Sequence, residues 1–433
     1  MMDRPEQRRP RLRRALSQAT RAAPIDRQGD RRTADLLARA LDVAEISADR
    51  AHEFTHGFHS YPARMHPLTA RRALVVAGAI RGRVVLDPFC GSGTVLVEAV
   101  RVGASAIGID ASPLASLVTR AKIWLRPQAR RTELVTRARR LAALAVDEGK
   151  ASRRSGYEAP AARQPGGSRA AERRDTALKG MFAPHVRREL ETIAALVARE
   201  SDLELRVLLE ALLSSILVKV SRREADSARG LVERRIGRGM PARLFAARAE
   251  ELVQGLTALA AKVPTGTAAP RFVAGDARRL DLAGIAPGSV DVVVTSPPYA
   301  GTYDYVGHHE LRLAFLGLDD STFFDAEIGS RRAFADLRAG MAAWHADLAA
   351  VLSELARVLR PDGAAVLLLG DSLAGDGPRA VAVHADDLIT RLAPTAGFRV
   401  MARAGQERRI HPPERQAFSV RPKREHLILL HRS

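Results

Sequence analysis

The run Val84-Val85-Leu86 leads straight into Asp87-Pro88-Phe89-Cys90-Gly91-Ser92-Gly93-Thr94, and this junction constrains the fold more than any other stretch of the chain. A short apolar run reads as a buried strand. Gly91 and Gly93 then permit positive φ and a close backbone approach before a helix begins near Thr94. Strand, glycine turn and helix together make the opening unit of an open α/β sheet, whose ligands sit beyond the carboxyl ends of its strands. Similar short runs at 106–109, 271–273, 290–294, 364–369 and 427–430 are apolar on both faces and separated by helical segments. That pattern predicts buried parallel strands in a doubly wound α/β sheet.

Four stretches follow from composition and period. Residues 1–33 are rich in Arg, Pro, Gln and Asp with little apolar content, and read as a disordered basic arm. Leu36, Leu37, Leu41, Val43 and Ile46 then predict a short amphipathic helix over 33–49 at the start of an N-terminal sheet portion, 34–125. Residues 126–264 hold a linker at about 150–177 and a helical block at 184–262, inserted between the second and third strands. Residues 265–433 complete the sheet.

The formal charge of +19 and sequence pI near 11.1 favour a polyanionic partner, nucleic acid first. Arginine-dominated charge also arises from GC-rich coding alone, so charge supports the motifs without replacing them. Cys90 is the single cysteine, which excludes an intramolecular disulfide and a cysteine-built zinc site. No apolar run approaches the roughly 18 residues that span a bilayer, and the Arg8–Arg14 stretch is not followed by a signal-peptide core. The expected compartment is the cytoplasm, with no membrane association.

The octet from Asp87 to Thr94 resembles motif I of the S-adenosylmethionine-dependent amino-methyltransferases, and Thr295-Ser296-Pro297-Pro298-Tyr299 resembles their motif IV. The resemblance extends to His59–Pro67, similar to motif X, to Gly108-Ile109-Asp110, similar to motif II, and to Gly275-Asp276-Ala277, similar to motif III. It covers roughly residues 52–125 and 265–433. It implies a class I, Rossmann-like methyltransferase sheet carrying a helical insertion, and S-adenosylmethionine as cofactor. The cofactor-binding residues it implies are Tyr61, Asp87, Phe89, Gly91, Ser92, Gly93, Thr94, Asp110 and Asp276. Asp110 also reads as a helix N-cap before Pro113, and Asp276 as a loop cap. The motif order resembles the alpha group, in which the recognition region lies between motifs III and IV; here the insertion comes earlier, before Gly275.

An exocyclic amine is a poor nucleophile, because its lone pair is delocalised into the base. Pro297 and Pro298 fix the backbone, so the Ser296 hydroxyl and a neighbouring carbonyl can accept hydrogen bonds from the amine and restore that lone pair. Tyr299 is expected to stack on a flipped base, and these four residues are the catalytic candidates. The chain has five tyrosines, and Tyr299, Tyr303 and Tyr305 fall within seven residues, which predicts an aromatic pocket for nucleic acid. Arg222, Arg223, Arg234 and Arg235 belong to a basic cluster read either as phosphate contacts or as a solvated face. His308, His309 and Glu310 lack further ligands at metal spacing, so no metal is expected. The implied function is DNA methylation at cytosine N4 in preference to adenine N6. RNA base methylation and a catalytically silent nucleic-acid-binding protein are the alternatives. The implied partners are DNA, or RNA in the alternative reading, and a cognate restriction enzyme; oligomeric state is not legible.

Overall fold

The computed structural model describes residues 23–43, 49–155, 176–226, 230–375, 380–410 and 414–433. The expected arm up to residue 22 and most of the 150–177 linker fall outside them.

The chain enters through β1 (Ile25–Gly29) and α1 (Arg31–Leu41), where Asp30 caps the helix by accepting from Thr33 N at 2.8 Å. Residues 25–33 are therefore ordered, which corrects the sequence reading of an arm running to residue 33. β1 was hidden because it is an edge strand with four exposed residues and no apolar alternation. Then come α2 (Pro67–Val76), β2 (Val84–Asp87), α3 (Thr94–Arg101), β3 (Ser105–Asp110) and α4 (Pro113–Lys122). The insertion consists of α5 (Gln128–Ser155), α6 (Pro184–Ala198), α7 (Leu203–Val220) and α8 (Met240–Ala260). The sheet resumes with β4 (Arg271–Ala274) and β5 (Val290–Thr295), followed by α9 (Tyr305–Leu316), α10 (Ser321–Ala326) and α11 (Leu337–Val358). Next come β6 (Leu359–Gly370) and a small hairpin of β7 (Ser372–Ala374) and β8 (Val381–Val383). α12 (Ala385–Thr395), β9 (Phe398–Glu407) and β10 (Arg424–Arg432) complete the chain.

The eight-stranded sheet has the order β1-β9-β10-β6-β5-β2-β3-β4. Strands β2 to β6 are mutually parallel, as expected, but β10 runs antiparallel to both β6 and β9, and β1 antiparallel to β9. The sheet is therefore mixed. The reason is topological: β9 and β10 are sheet neighbours without a crossover helix between them, a connection that favours antiparallel pairing. Arg360-Pro361-Asp362-Gly363, which reads as a turn before a strand, is carried within β6 beside a register shift against β5.

Alternating strand residues explain the two layers of helices. Val85, Val292, Val294, Val366 and Leu368 face α1, α2 and α3, whereas Leu86, Val293, Leu367 and Leu369 face α11 and α12. The insertion builds its own core around α7, which is buried on nearly every side and takes Leu190, Ile193, Phe245 and Leu252 from its neighbours. It docks on the sheet portion through α4, which contributes Leu117 and Ala121 to that core, and at Gly255, where a Cβ would overlap the Phe54 carbonyl oxygen. Gly255→Ala is expected to destabilise the protein by about 1–3 kcal/mol, because the helix must shift to relieve the overlap. Urea denaturation of the variant beside the parent measures this.

Candidate active site

Strand order reverses between β2 and β5: the chain proceeds from β2 to β3 and β4 on one side, and from β5 to β6 on the other. A crevice opens at such a switch point beyond the strand ends. Both motifs identified in the sequence end there. Thr295, the last residue of β5, donates its hydroxyl to Asp87 Oδ1, the last residue of β2, at 2.6 Å across 208 residues of sequence. Gly91 and Gly93 adopt φ of 49° and 72° as the chain turns into α3, and a Cβ on Gly93 would meet Thr119 Cγ2 at 2.9 Å. Asp110, at the end of β3, accepts from Gly91 N at 2.8 Å and Ser112 N at 2.9 Å, which ties the glycine turn to the next strand. The N-cap of α4 is Ser112, not Asp110.

These elements wall a cavity of about 860 Å³, open solvent at its mouth included. Its lining joins Tyr61–Met65, the turn from Asp87 to Ser92 with Thr94, Asp110, Gly275–Ala277, Ser296, Pro298 and Tyr305. Asp87, Asp110, Asp276 and Glu327 line it against a single guanidinium, Arg64, which is itself held by the His56 and Ala51 carbonyls. The wall is thus acidic inside a strongly basic chain. Burial pushes the Asp87 carboxyl up to about 7, against the opposing pull of its hydrogen bonds from Thr295 and Phe89 N. Burial likewise pushes Asp110 up to about 6, while the Ser112 and Gly91 amides pull it down. The Thr94 hydroxyl is buried on this wall without a hydrogen-bond partner among the described residues. An acidic lining and an orphaned hydroxyl together fit a polar, cationic ligand.

The implied cofactor residues Tyr61, Asp87, Phe89, Gly91, Ser92, Thr94, Asp110 and Asp276 all line this cavity, and Gly93 sits just behind it as the α3 N-cap. Asp276 also accepts from Arg278 N and Nη2, at 2.8 and 2.6 Å, the contacts of its loop-cap reading, while remaining on the cavity wall. In the Thr295–Tyr299 loop, Ser296 and Pro298 reach the cavity. Tyr299 is 7% exposed and lies off the cavity wall, in contrast to the stacking position read from the sequence. Rings run on from it towards the cavity in contacts of 6.4 Å to Tyr303, 5.3 Å from there to Tyr305, 6.2 Å to His309 and 4.8 Å to Tyr61. His309 is fully buried among them.

The basic cluster divides. Arg223 donates to the Gly307 carbonyl at 3.1 Å, and Arg234 donates to the Val218 and Lys219 carbonyls at 2.6 and 3.0 Å, closing the last turn of α7. Arg222 and Arg235 point to solvent.

Sequence reasoning missed Glu327, whose carboxylate accepts from Tyr305 N at 2.5 Å on the cavity wall and pairs with Arg332. It also missed Phe323 and Ile328 beside it. The adjacent pair Phe323-Phe324 in an aromatic-poor chain was the one available signal.

Residues 42–116 match the family model described as DNA methylase. Over 72 residues the chain is 38% identical to the type II methyltransferase M.MvaI of Kocuria varians, covering 16% of each. Over 50 residues it is 46% identical to the tRNA (guanine(10)-N2)-dimethyltransferase of Methanocaldococcus jannaschii, covering 12% of this chain and 14% of that one. The chain thus spans about one sixth of the length of these curated relatives. The solved rRNA methyltransferase aviRa from Streptomyces viridochromogenes aligns with 90% of this chain and 94% of its own at a TM-score of 0.34 and 15% identity. No helix among the described residues is long and apolar enough to cross a membrane.

The raised carboxyl of Asp87 sets a pH dependence. In the unfolded chain an aspartate ionises near pH 3.9, so between about 4 and 7 the folded state binds the extra proton and stability falls as pH rises. Asp87→Asn keeps an acceptor for Thr295 and removes the charge. Urea midpoints measured from pH 4 to 8 are expected to fall less steeply with pH in the variant than in the parent.

Proposed function

We propose that this chain is an S-adenosylmethionine-dependent methyltransferase acting on the exocyclic amine of a nucleic-acid base in DNA, with cytosine N4 preferred over adenine N6. The observation that carries the reading is that Ser296 and Pro298 share one cavity wall with the Asp87–Thr94 turn and Asp110. A cofactor turn and an amine-binding loop facing the same space are what methyl transfer between two bound molecules requires. The bound cofactor supplies an electrophilic methyl group on a sulfonium. Asp110 is positioned to accept from ribose hydroxyls, and the acidic wall suits the cofactor's positive charges. Ser296 accepts a hydrogen bond from the amine. Trp344 Nε1 donates to the Pro298 carbonyl at 3.1 Å, which anchors the loop. Tyr305, half-buried on the cavity lining, and Tyr303, 5.3 Å from it, supply stacking surface for a base drawn out of its helix. The serine before Pro-Pro-Tyr favours the cytosine preference by resemblance. RNA is the second reading, supported by the segment shared with a tRNA methyltransferase. We place the enzyme in the cytoplasm, with a cognate restriction enzyme as a further partner.

Incubation with labelled cofactor and either DNA or RNA, followed by nucleoside analysis, tests the reading. The expected product is an N4-methylcytosine nucleoside from DNA, and Ser296→Ala is expected to lose most of the rate at unchanged cofactor affinity. Label appearing in RNA alone would select the second reading.

Phosphate contacts are assigned to the two solvent-facing arginines. Replacing Arg222 and Arg235 by Ala should lower the slope of log affinity against log salt by about 2, close to 0.9 per phosphate contact. Filter binding across a salt series measures it, and Arg234→Ala should instead lower stability with little change in slope.

A further inference from the structure

Tyr61 lines the cavity beside the glycine turn, where a Cβ on Gly91 would lie 3.2 Å from its ring atom Cε1, so the shape of the cavity there depends on what holds the chain just before this ring. His59 and Ser60 are held from two sides. The His59 ring bonds the Ser60 carbonyl through Nδ1 at 2.6 Å and the Ser214 hydroxyl of α7 through Nε2 at 2.9 Å. A carbonyl only accepts, so Nδ1 carries the proton; burial keeps the ring neutral, and Nε2 accepts from Ser214. From the other side Arg312 of α9, 1% exposed, donates Nη2 to the Ser60 hydroxyl at 2.8 Å, Nε to the Ser214 carbonyl at 3.1 Å and Nη1 to Asp226.

Ser214 and Asp226 both belong to the insertion. Apolar residues of similar volume usually match a buried ion pair for stability, so what the Arg312–Asp226 pair supplies is direction for the guanidinium fork. We propose that Arg312 is a positioning residue for the cofactor: with Ser214 it pins His59 and Ser60 to the insertion and thereby sets the Tyr61 wall of the cavity against the Gly91 turn. The inference rests on the methyltransferase reading and deepens it. The insertion becomes part of the cofactor site although none of its described residues lines the cavity.

A residue that places a ring and one that only holds helices together behave differently once the ring is gone. S-adenosylmethionine is titrated calorimetrically into the full chain for the parent, Arg312→Lys, Ser60→Ala, Tyr61→Ala and the two double variants with Tyr61→Ala, beside thermal melting. Arg312→Lys keeps a charge opposite Asp226 but loses the fork, and is expected to weaken cofactor affinity roughly threefold to tenfold. Ser60→Ala removes only the last hydrogen bond of the chain of contacts and is expected to weaken it about as much. Tyr61→Ala should weaken it too, and in that background the other two should add little, since no ring is left to place. If Arg312→Lys fails to fold, Ser60→Ala, alone and with Tyr61→Ala, decides. Parental affinity in any of the single variants, or fully additive losses beside Tyr61→Ala, overturns the positioning role and leaves the methyltransferase reading standing. A folded parent that takes up no S-adenosylmethionine overturns both.

Discussion

The pairing of β2 with β5 is the constraint on which the site depends. Val85 and Leu86 pair with Val292 and Val293, and the contact closes with the Thr295 hydroxyl on Asp87, buried at the switch point. Segments 208 residues apart meet there because two short apolar strands, buried on both faces, satisfy their backbone inside the sheet, between β3 on one side and β6 on the other. Once they are paired, the glycine turn after β2 and the Pro-Pro loop after β5 necessarily open onto the same crevice. The insertion can then lie between β3 and β4 without disturbing that meeting, since it carries its own core around α7.

Electrostatics divides the molecule in two. The chain as a whole is strongly basic, whereas the cavity lining gathers four acidic side chains, two of them paired with Arg278 and Arg332, around one guanidinium that the backbone already holds. A basic exterior attracts a polyanion, and an acidic interior receives a cation; the two ligands of the proposed reaction carry those opposite charges. Many arginines do neither. Arg234 closes a helix end, Arg278 bridges Asp276 and Asp347, and Arg403 and Arg421 hold Asp386. Asp386 belongs with Asp371 and His426 to a close cluster whose charges protein groups already match. Net charge therefore overstates the surface left for nucleic acid.

Much of the fold was legible because its signals are local. A β-branched run, a pair of glycines and a change of hydrophobic period each act within a few residues, so β2, β3, β5 and the helices of the insertion were readable. β1 and β9 were not, since Arg27, Gln28, Arg399 and Arg403 break any apolar pattern, and their places come from pairing alone. The same limit hid the direction of β10: a strand apolar on both faces carries no mark of which way it runs.

By itself the sequence determined which residues could perform chemistry: the Asp87–Thr94 turn, Asp110, and the loop from Thr295 to Tyr299. Tertiary structure decided what each one faces. It drew Tyr299 off the cavity wall to meet Glu425, a residue 126 positions away, because Gly370 leaves space for the ring. It turned Arg234 to a helix end, leaving it committed to the protein's own groups. The physical reason is that a side chain's type is local, whereas its hydrogen-bond partner depends on sheet register, and register follows from the burial of both faces at once.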